Sequence, residues 1–466
     1  MDSEHLGVIV SAWLGAPVGI EDLTRLPGGA SKDTWSFSAR ERDGGLRRLV
    51  LRADRAESLD SGMALEAALL RAASSAGVPV PPVVGVGGES EGAGAAFLIM
   101  EFVDGETIPR RILRDGQLGA ARSVLAEQCG RILAAVHRIP PAAVPGLPAG
   151  DPLEQLRSQL VQFGQPHPAF ELGLLWLERT RPARSAECVV HGDFRNGNLI
   201  IGAEGIRAIL DWELAHLGEP LEDLGWLCVK AWRFGSSLPV GGFGTVEQLT
   251  AAYEGAGGGH VDAAALDWWT VFGTLRWGII CIAQTLAHLS GAVRSVELAA
   301  IGRRVCEVES DLMDLLPWTG IGDKARVPDT SVGVVEPDAS AATPADARDR
   351  PPHDVPSSVE LLVAVREFLE SDVLGATEGR VRFHTRVAAN VVAMVGRELE
   401  VGPDQAVAHS RRLQQLGVSN ESELAAAIAS GVLQDRLGEV SDVVRSTVAD
   451  KLAVANPGYR STPPAD

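Results

Sequence analysis

His191-Gly192-Asp193-Phe194-Arg195-Asn196-Gly197-Asn198, followed by Ile209-Leu210-Asp211-Trp212-Glu213, is the stretch that decides how this chain is read. Helical spacing lies on either side of it. Residues 189–215 break that spacing and predict loop, strand, turn, strand, loop. Asp193 and Asn198 share one loop, and Asp211 follows the apolar pair Ile209-Leu210. A lone Asp-x4-Asn is commonly a loop whose side chains bond their own backbone. That reading leaves Asp211 and the strand-rich region upstream unexplained.

Upstream, residues 1–100 are dense in strand and turn signals. Pro27-Gly28-Gly29-Ala30-Ser31 precedes the alternating Trp35, Phe37 and Ala39. Residues 47–54 (RRLVLRAD) form a short β-type run, and Asp43-Gly44-Gly45 marks a hairpin turn between the two. Residues 63–77 (MALEAALLRAASSAG) have helical spacing and stop at Gly77, with prolines beyond. Residues 95–105 (AAFLIMEFVDG) read as a buried strand ended by Asp-Gly. The sum is a small antiparallel sheet with one packed helix.

Downstream, residues 106–320 are mostly helical, and 118–140 reads as one long amphipathic helix. Pro, Ala, Asp and Ser dominate 321–357, which has no aromatic residue and reads as a solvated linker. Helical spacing resumes from Ser358 to about Ala455.

The chain has 466 residues, with 42 Lys+Arg against 61 Asp+Glu and a net charge of −19. Its length suggests two or three domains. An apolar content of 45% excludes global disorder. Five cysteines without a CxxC pair exclude a disulfide scaffold and fit a reducing compartment. No basic stripe is present to bind nucleic acid. Acidic residues precede the first apolar stretch, which makes a poor signal peptide. Residues 268–289 contain Arg276, Gln284 and His288 and read as a buried helix rather than a membrane span. A cytoplasmic protein with no nucleic-acid or membrane partner is expected. Only four lysines occur (32, 230, 324 and 451); every other basic residue is arginine.

The pattern HGDxxxxN with its downstream Asp211 resembles the catalytic core of the aminoglycoside phosphotransferase and choline kinase-like family, over about residues 20–315. GGASKDTWSF, HGDFRNGNL and LDWELAHLGEPLEDLGWL are similar to the branch associated with acyl-CoA dehydrogenases. The resemblance implies an α+β, two-lobed protein-kinase-like fold. The N-lobe (1–103) would be a small antiparallel sheet and the C-lobe (104–320) mostly helical. After the linker (321–357), residues 358–460 resemble a small uncharacterised helical domain.

The resemblance also implies roles. Phosphoryl transfer asks the protein mainly for positioning and charge neutralisation. Asp193 would meet the attacking hydroxyl, while Asn198 and Asp211 would supply oxygen ligands to magnesium. Gly28, Gly29 and Ser31 would cover the nucleotide phosphates. Arg52 stands where most relatives carry a phosphate-pairing lysine, and Glu66 would pair with it. Arginine keeps the charge but changes the geometry. Lys32, beside the Gly-rich turn, could compensate, although that reading is disfavoured. Glu101 and Val103 would meet the adenine edge through their backbone. His191 would shape the loop and Asp223 would brace it. Arg276 and Trp277 are candidates for the acceptor pocket, with an ion-pair role for Arg276 equally open. His137, Trp268 and Trp269 read as core. His384, Arg386 and Asn390 read as interhelical hydrogen-bonding residues.

The implied activity is transfer of phosphate from ATP, with magnesium, to the hydroxyl of a small molecule. A hydroxyacyl-CoA is the acceptor class the branch implies. Aminoglycosides or amino alcohols stay open as acceptors, as does a nucleotide-binding pseudokinase or scaffold. The C-terminal domain would dock onto the lobes, a second copy, or a partner enzyme.

Overall fold

The computed structural model describes residues 3–26, 32–54, 62–88, 95–317 and 356–460. Gly28, Gly29 and Ser31 and most of the expected linker lie outside the described residues. Two compact units are present: residues 3–158 with 177–276, and residues 159–176 with 277–460.

The first unit opens with α1 (Ser3–Leu14), β1 (Val18–Arg25), β2 (Lys32–Glu41), β3 (Leu46–Asp54), α2 (Met63–Ser75), β4 (Val83–Gly87) and β5 (Phe97–Glu101). The strands form one antiparallel sheet in the order β1-β2-β3-β5-β4. Its two faces follow from the period-2 alternation of β3. Leu49, Leu51 and Ala53 join Leu6, Ile9 and Val10 of α1 in one apolar cluster. Val50 packs toward the other cluster, which holds Met63, Ala67 and Leu70 of α2. Arg52 shares the parity of Val50, so alternation alone turns it to the α2 side. Helix α1 covers the outer face, with Trp13 stacked on Phe97 at 5.7 Å; sequence reading gave this segment no role. Helix α2 ends where Gly77 takes φ 82° and Val78 N–H returns to Ala73 O at 2.9 Å.

The chain continues with α3 (Pro109–Arg114), α4 (Gly119–Arg122), α5 (Leu125–Val136), α6 (Pro152–Phe163) and α7 (Pro168–Arg179). The expected single helix over 118–140 is therefore two pieces. The Ser123 hydroxyl donates to Ala120 O at 2.7 Å and competes with the helical ladder at the break. Arg122 donates to Ile112 O at 2.9 Å, turning that end toward α3. Next come β6 (Cys188–Val190), β7 (Leu199–Gly202), β8 (Gly205–Ile209), β9 (His216–Gly218), α8 (Leu221–Cys228), α9 (Val246–Gly255) and α10 (Ala263–Leu289). Strands β6 and β9 pair, as do β7 and β8, and the catalytic-type loop lies between β6 and β7. Helix α10 is long and apolar enough to cross a bilayer, yet Trp268, Trp269, Phe272 and Leu275 on it are buried. Trp268 Nε1 donates to Leu177 O at 2.9 Å.

The second unit adds α11 (Val296–Arg303), α12 (Val305–Leu315), α13 (Ser358–Phe368), α14 (Leu374–Ala376), α15 (Gly379–Leu416), α16 (Glu421–Ala429) and α17 (Leu437–Ala455). Helix α12 buries Glu307, Glu309, Ser310 and Asp311. Each has a partner nearby: Asn456 reaches Glu307 at 3.0 Å, His167 reaches Glu309 at 2.9 Å, Tyr459 reaches Asp311 at 2.7 Å, and Arg460 reaches Ser310 at 3.1 Å. Polar contacts between α15 and α17 include Arg397 to Val454 O at 2.7 Å, Gln405 to Asp450 O at 3.1 Å and His409 to Thr447 at 3.1 Å, with Arg412 paired to Asp450. Arg386 and Asn390, expected to make such contacts, are exposed. They lie off the stripe of Thr385, Ala389, Leu413 and Leu416 that α15 buries.

Candidate active site

The loop after β6 is shaped from below by Asp223, on the first turn of α8. Its fully buried carboxylate accepts His191 N–H at 2.8 Å and Gly192 N–H at 2.9 Å. His137 Nε2 reaches it at 3.2 Å, and Tyr253 holds the other nitrogen of His137 at 2.8 Å. Burial opposes a charge on Asp223, but the hydrogen bond and field of His137 and the hydrogen bond from the His191 backbone outweigh it. The carboxyl is held below its ordinary range. His191 is also buried, and burial holds its pKa below the usual imidazole value. Its Nδ1 accepts Asp193 N–H at 3.1 Å, so the ring proton sits on Nε2, facing Leu210 O at 3.1 Å. This histidine ties the two halves of the motif together and carries no charge to the site.

Gly192 is required by the same turn. It takes φ 76°, and a Cβ there would lie 2.2 Å from Leu214 O.

Asp193 is held from three sides. Asn198 Nδ2 donates to its carboxylate at 2.6 Å, Trp226 Nε1 at 2.9 Å and Arg195 Nε at 2.9 Å. Asn198 Nδ2 also meets Asp193 O at 2.9 Å, so both contacts fix the amide nitrogen toward Asp193 and turn its oxygen away. Asn198 O accepts Leu210 N–H at 2.8 Å, which sets Asn198 beside the end of β8, one residue before Asp211. Asp211 has φ 68°, a left-handed conformation that a non-glycine residue holds only under constraint.

From the sheet side, Arg52 bridges two carboxylates. One terminal nitrogen pairs with Glu66 on α2, and the other donates to Asp211 at 3.0 Å. Burial opposes the guanidinium charge, but Glu66 and Asp211 outweigh it and raise its pKa. For Glu66 the balance runs the other way. Burial pushes the carboxyl above its ordinary value, and Arg52 and Lys32 pull it back only in part. Asp193, Asn198, Asp211, Arg52 and Glu66, dispersed over 160 positions, thus converge on one polar network with His191 and Asp223 behind it.

The remaining candidates lie further out. The Glu101 side chain pairs with Arg47, and its N–H donates to Pro82 O at 2.9 Å. Val103 follows as the chain leaves β5. Arg276 is in an ion pair with Glu222 at 3.2 Å and lies over the Trp226 ring, so it backs the indole that holds Asp193. Trp277 is half-buried and falls in the second unit.

Sequence reasoning did not single out Arg195 or Trp226. Arg195 stacks over Trp232 at 4.6 Å while it holds Asp193. It lay inside the quoted motif, and a cation two residues after Asp193 was the available signal. Trp226 had none, because its indole reaches Asp193 only once α8 is packed.

Comparison with known proteins agrees with this arrangement. The model of the phosphotransferase enzyme family (APH) matches residues 22–267. The chain belongs to that family. Residues 375–459 match a domain of unknown function, DUF6285. Acyl-CoA dehydrogenase family member 10 of Mus musculus is 30% identical over 207 residues, covering 42% of this chain and 19% of that protein. Member 11 of Pongo abelii is 33% identical over 169 residues, covering 33% of this chain and 21% of that protein. The chain thus spans about a fifth of the length of these curated relatives. The crystal structure of a candidate aminoglycoside phosphotransferase from Ralstonia eutropha JMP134 superposes with a TM-score of 0.54. The match has 23% identity and covers 67% of this chain and 98% of that one. That likeness shows the fold, which is kinase-like as expected. Family and branch also agree with the sequence reading.

Proposed function

We propose that the protein transfers the γ-phosphoryl group of ATP, with magnesium, to the hydroxyl of a small molecule. The observation that carries this reading is the Asp193–Asn198 pair set beside Asp211, itself bridged through Arg52 to Glu66.

The donor set fits magnesium. Asn198 turns its amide oxygen away from Asp193, and Asp211 is a partly exposed carboxylate. Both are hard oxygen donors, and magnesium asks for one or two such ligands beside its waters. No cluster of three or more His, Cys, Asp and Glu side chains able to hold a metal occurs among the described residues, which argues against a zinc-type cage. When bound, magnesium would neutralise charge on the phosphates during transfer.

The chain's own residues would do the rest. Asp193 orients the acceptor hydroxyl and receives its proton as the oxygen bonds to phosphorus and ADP leaves. Trp226, Arg195 and Asn198 fix the carboxylate in place beforehand, so no reorientation is needed at reaction. Arg52 counters phosphate charge, and Glu66 holds Arg52.

Arg195, beside Asp193, offers an anionic acceptor a cation to pair with, which supports such an acceptor. The curated relatives are named as acyl-CoA dehydrogenase family members, which supports an acyl-CoA thioester as the acceptor class, and phosphotransfer would need a hydroxyl on it. Thermal stabilisation by ATP, with and without magnesium, tests the site. Saturation at 100 times the dissociation constant adds about 2.7 kcal/mol. The shift is expected to need magnesium and to vanish in Asp211→Asn. A wild-type protein indifferent to ATP and magnesium overturns the reading. ADP release on hydroxyacyl-CoA thioesters, against none on aminoglycosides, tests the acceptor.

A further inference from the structure

We propose that Lys32 is a second nucleotide-phosphate cation, acting beside Arg52 from the neighbouring strand; this rests on the nucleotide-binding reading above. Lys32 is the first residue of β2, opposite Asp54, while Thr34 is opposite Arg52. Directly opposed residues share a face, and so do residues two apart on one strand. Lys32 and Arg52 are therefore diagonal neighbours on the α2 side of the sheet. The two cations take opposite oxygens of one buried carboxylate. Arg52 pairs with Glu66 Oε1, and Lys32 Nζ lies 4.0 Å from Glu66 Oε2.

Three observations give Lys32 more than a structural role. First, both terminal nitrogens of Arg52 are engaged by carboxylates, one by Glu66 and one by Asp211. The residue at the expected lysine position is largely committed to holding the site together. Second, the surroundings of Lys32 are incomplete. Its ammonium carries three protons, and Asp54 Oδ1 accepts one at 3.0 Å. Among the described residues, Glu66 Oε2 and Asp54 Oδ2 are both buried without a hydrogen-bond partner. Buried polar groups are ordinarily hydrogen-bonded, so these two oxygens leave Lys32 room for a further partner. Third, Lys32 is about nine-tenths buried in a chain with four lysines among 42 basic residues. A compact ammonium is retained where this chain elsewhere uses guanidinium, and the two are not interchangeable in geometry.

The charge count agrees. Glu66, Asp54 and Asp211 surround the two cations. With Arg52 alone, the three carboxylates would leave an excess of two negative charges facing a polyanionic phosphate, and Lys32 reduces that excess to one. Lys32 divides that burden, which is how the site tolerates arginine at position 52.

The test is a ligand ladder of adenosine, ADP and ATP, titrated with magnesium into the full chain by calorimetry. In Lys32→Met, affinity for ATP and ADP is expected to fall about tenfold or more while adenosine is unchanged. Lys32→Gln, which keeps a donor for Asp54, is expected to lose phosphate affinity equally and serves if the first variant does not fold. A wild-type measurement stands beside them: with four lysines, 13C-dimethyl-lysine NMR resolves Lys32, whose signal is expected to move with ATP and not with adenosine. Folded variants with wild-type ATP affinity, or a Lys32 signal unmoved by ATP, overturn the proposal. Equal losses for adenosine and ATP overturn it too, since they indicate general damage. A wild-type protein that binds none of the three nucleotides overturns the nucleotide reading first, which is a different result.

Discussion

Glu66 and Glu309 are both buried carboxylates facing cations, one in each compact unit, and they are handled in opposite ways. Glu309 accepts from His167 Nδ1 at 2.9 Å and lies 3.4 Å from Lys451. Burial opposes its charge, but Lys451 and His167 outweigh burial and hold its pKa down. Glu66 has an oxygen with no hydrogen bond among the described residues, and burial lifts its pKa despite two cations nearby. Both oxygens of Glu309 meet a cationic partner, whereas one oxygen of Glu66 is left over, which leaves its cations open to a further partner. Glu66 also shares its unit with strained Asp211.

The largest expected effect sharpens this contrast. Asp193→Asn is expected to lower turnover by about 10²- to 10⁴-fold while ATP still stabilises the protein, measured by ADP release and by melting. Loss of ATP binding as well would mean that Asp193 supports the fold of the site rather than the reaction.

Glu309→Gln is expected to do the reverse. Breaking one side of a buried pair costs about 3–5 kcal/mol, read as a lowered melting midpoint, with turnover of the folded protein unchanged. Because the folded pKa of Glu309 is depressed, wild type keeps its full advantage at neutral pH. That advantage disappears as pH falls below the ordinary value of 4.5 and through the depressed one. Glu66 has the opposite sign. Its raised pKa means its contribution is present below 4.5 and lost as pH rises through the raised value. Melting curves of Glu66→Gln and Glu309→Gln against wild type should therefore diverge in opposite directions with pH. Parallel trends would break the comparison.

Gly192→Ala is expected to cost about 1–3 kcal/mol, from a left-handed backbone and the contact with Leu214 O. The loss should appear in both turnover and melting, because the loop carries Asp193. Trp226→Phe keeps the ring and removes one N–H, and about a tenfold loss in kcat at unchanged ATP affinity is expected. A Trp226→Phe enzyme with wild-type kcat would leave Asp193 oriented by Arg195 and Asn198 alone.

Much of the site was legible because its groups lie in short runs. HGDFRNGN places Asp193 and Asn198 one turn of loop apart, and the LVLRAD strand fixes the side on which Arg52 falls by parity alone. The helix over 118–140 was misread because apolar spacing continues through Ser123, where a single hydroxyl breaks the ladder. Arg386 and Asn390 are exposed rather than interhelical because spacing shows that a stripe exists on α15 but not which of its flanks meets α17.

The sequence by itself determined the family, the strand-rich start, the loop that carries Asp193 and Asn198, and the pairing of Arg52 with Glu66. These rest on local spacing and on residue types that chemistry restricts. Only the tertiary structure decided that Trp226 and Arg195 hold Asp193, that Arg52 reaches Asp211 as well as Glu66, and that Lys32 stands on the same carboxylate. Those contacts join residues far apart in the chain. Their existence depends on how α8, α2 and β2 pack, which no local pattern encodes.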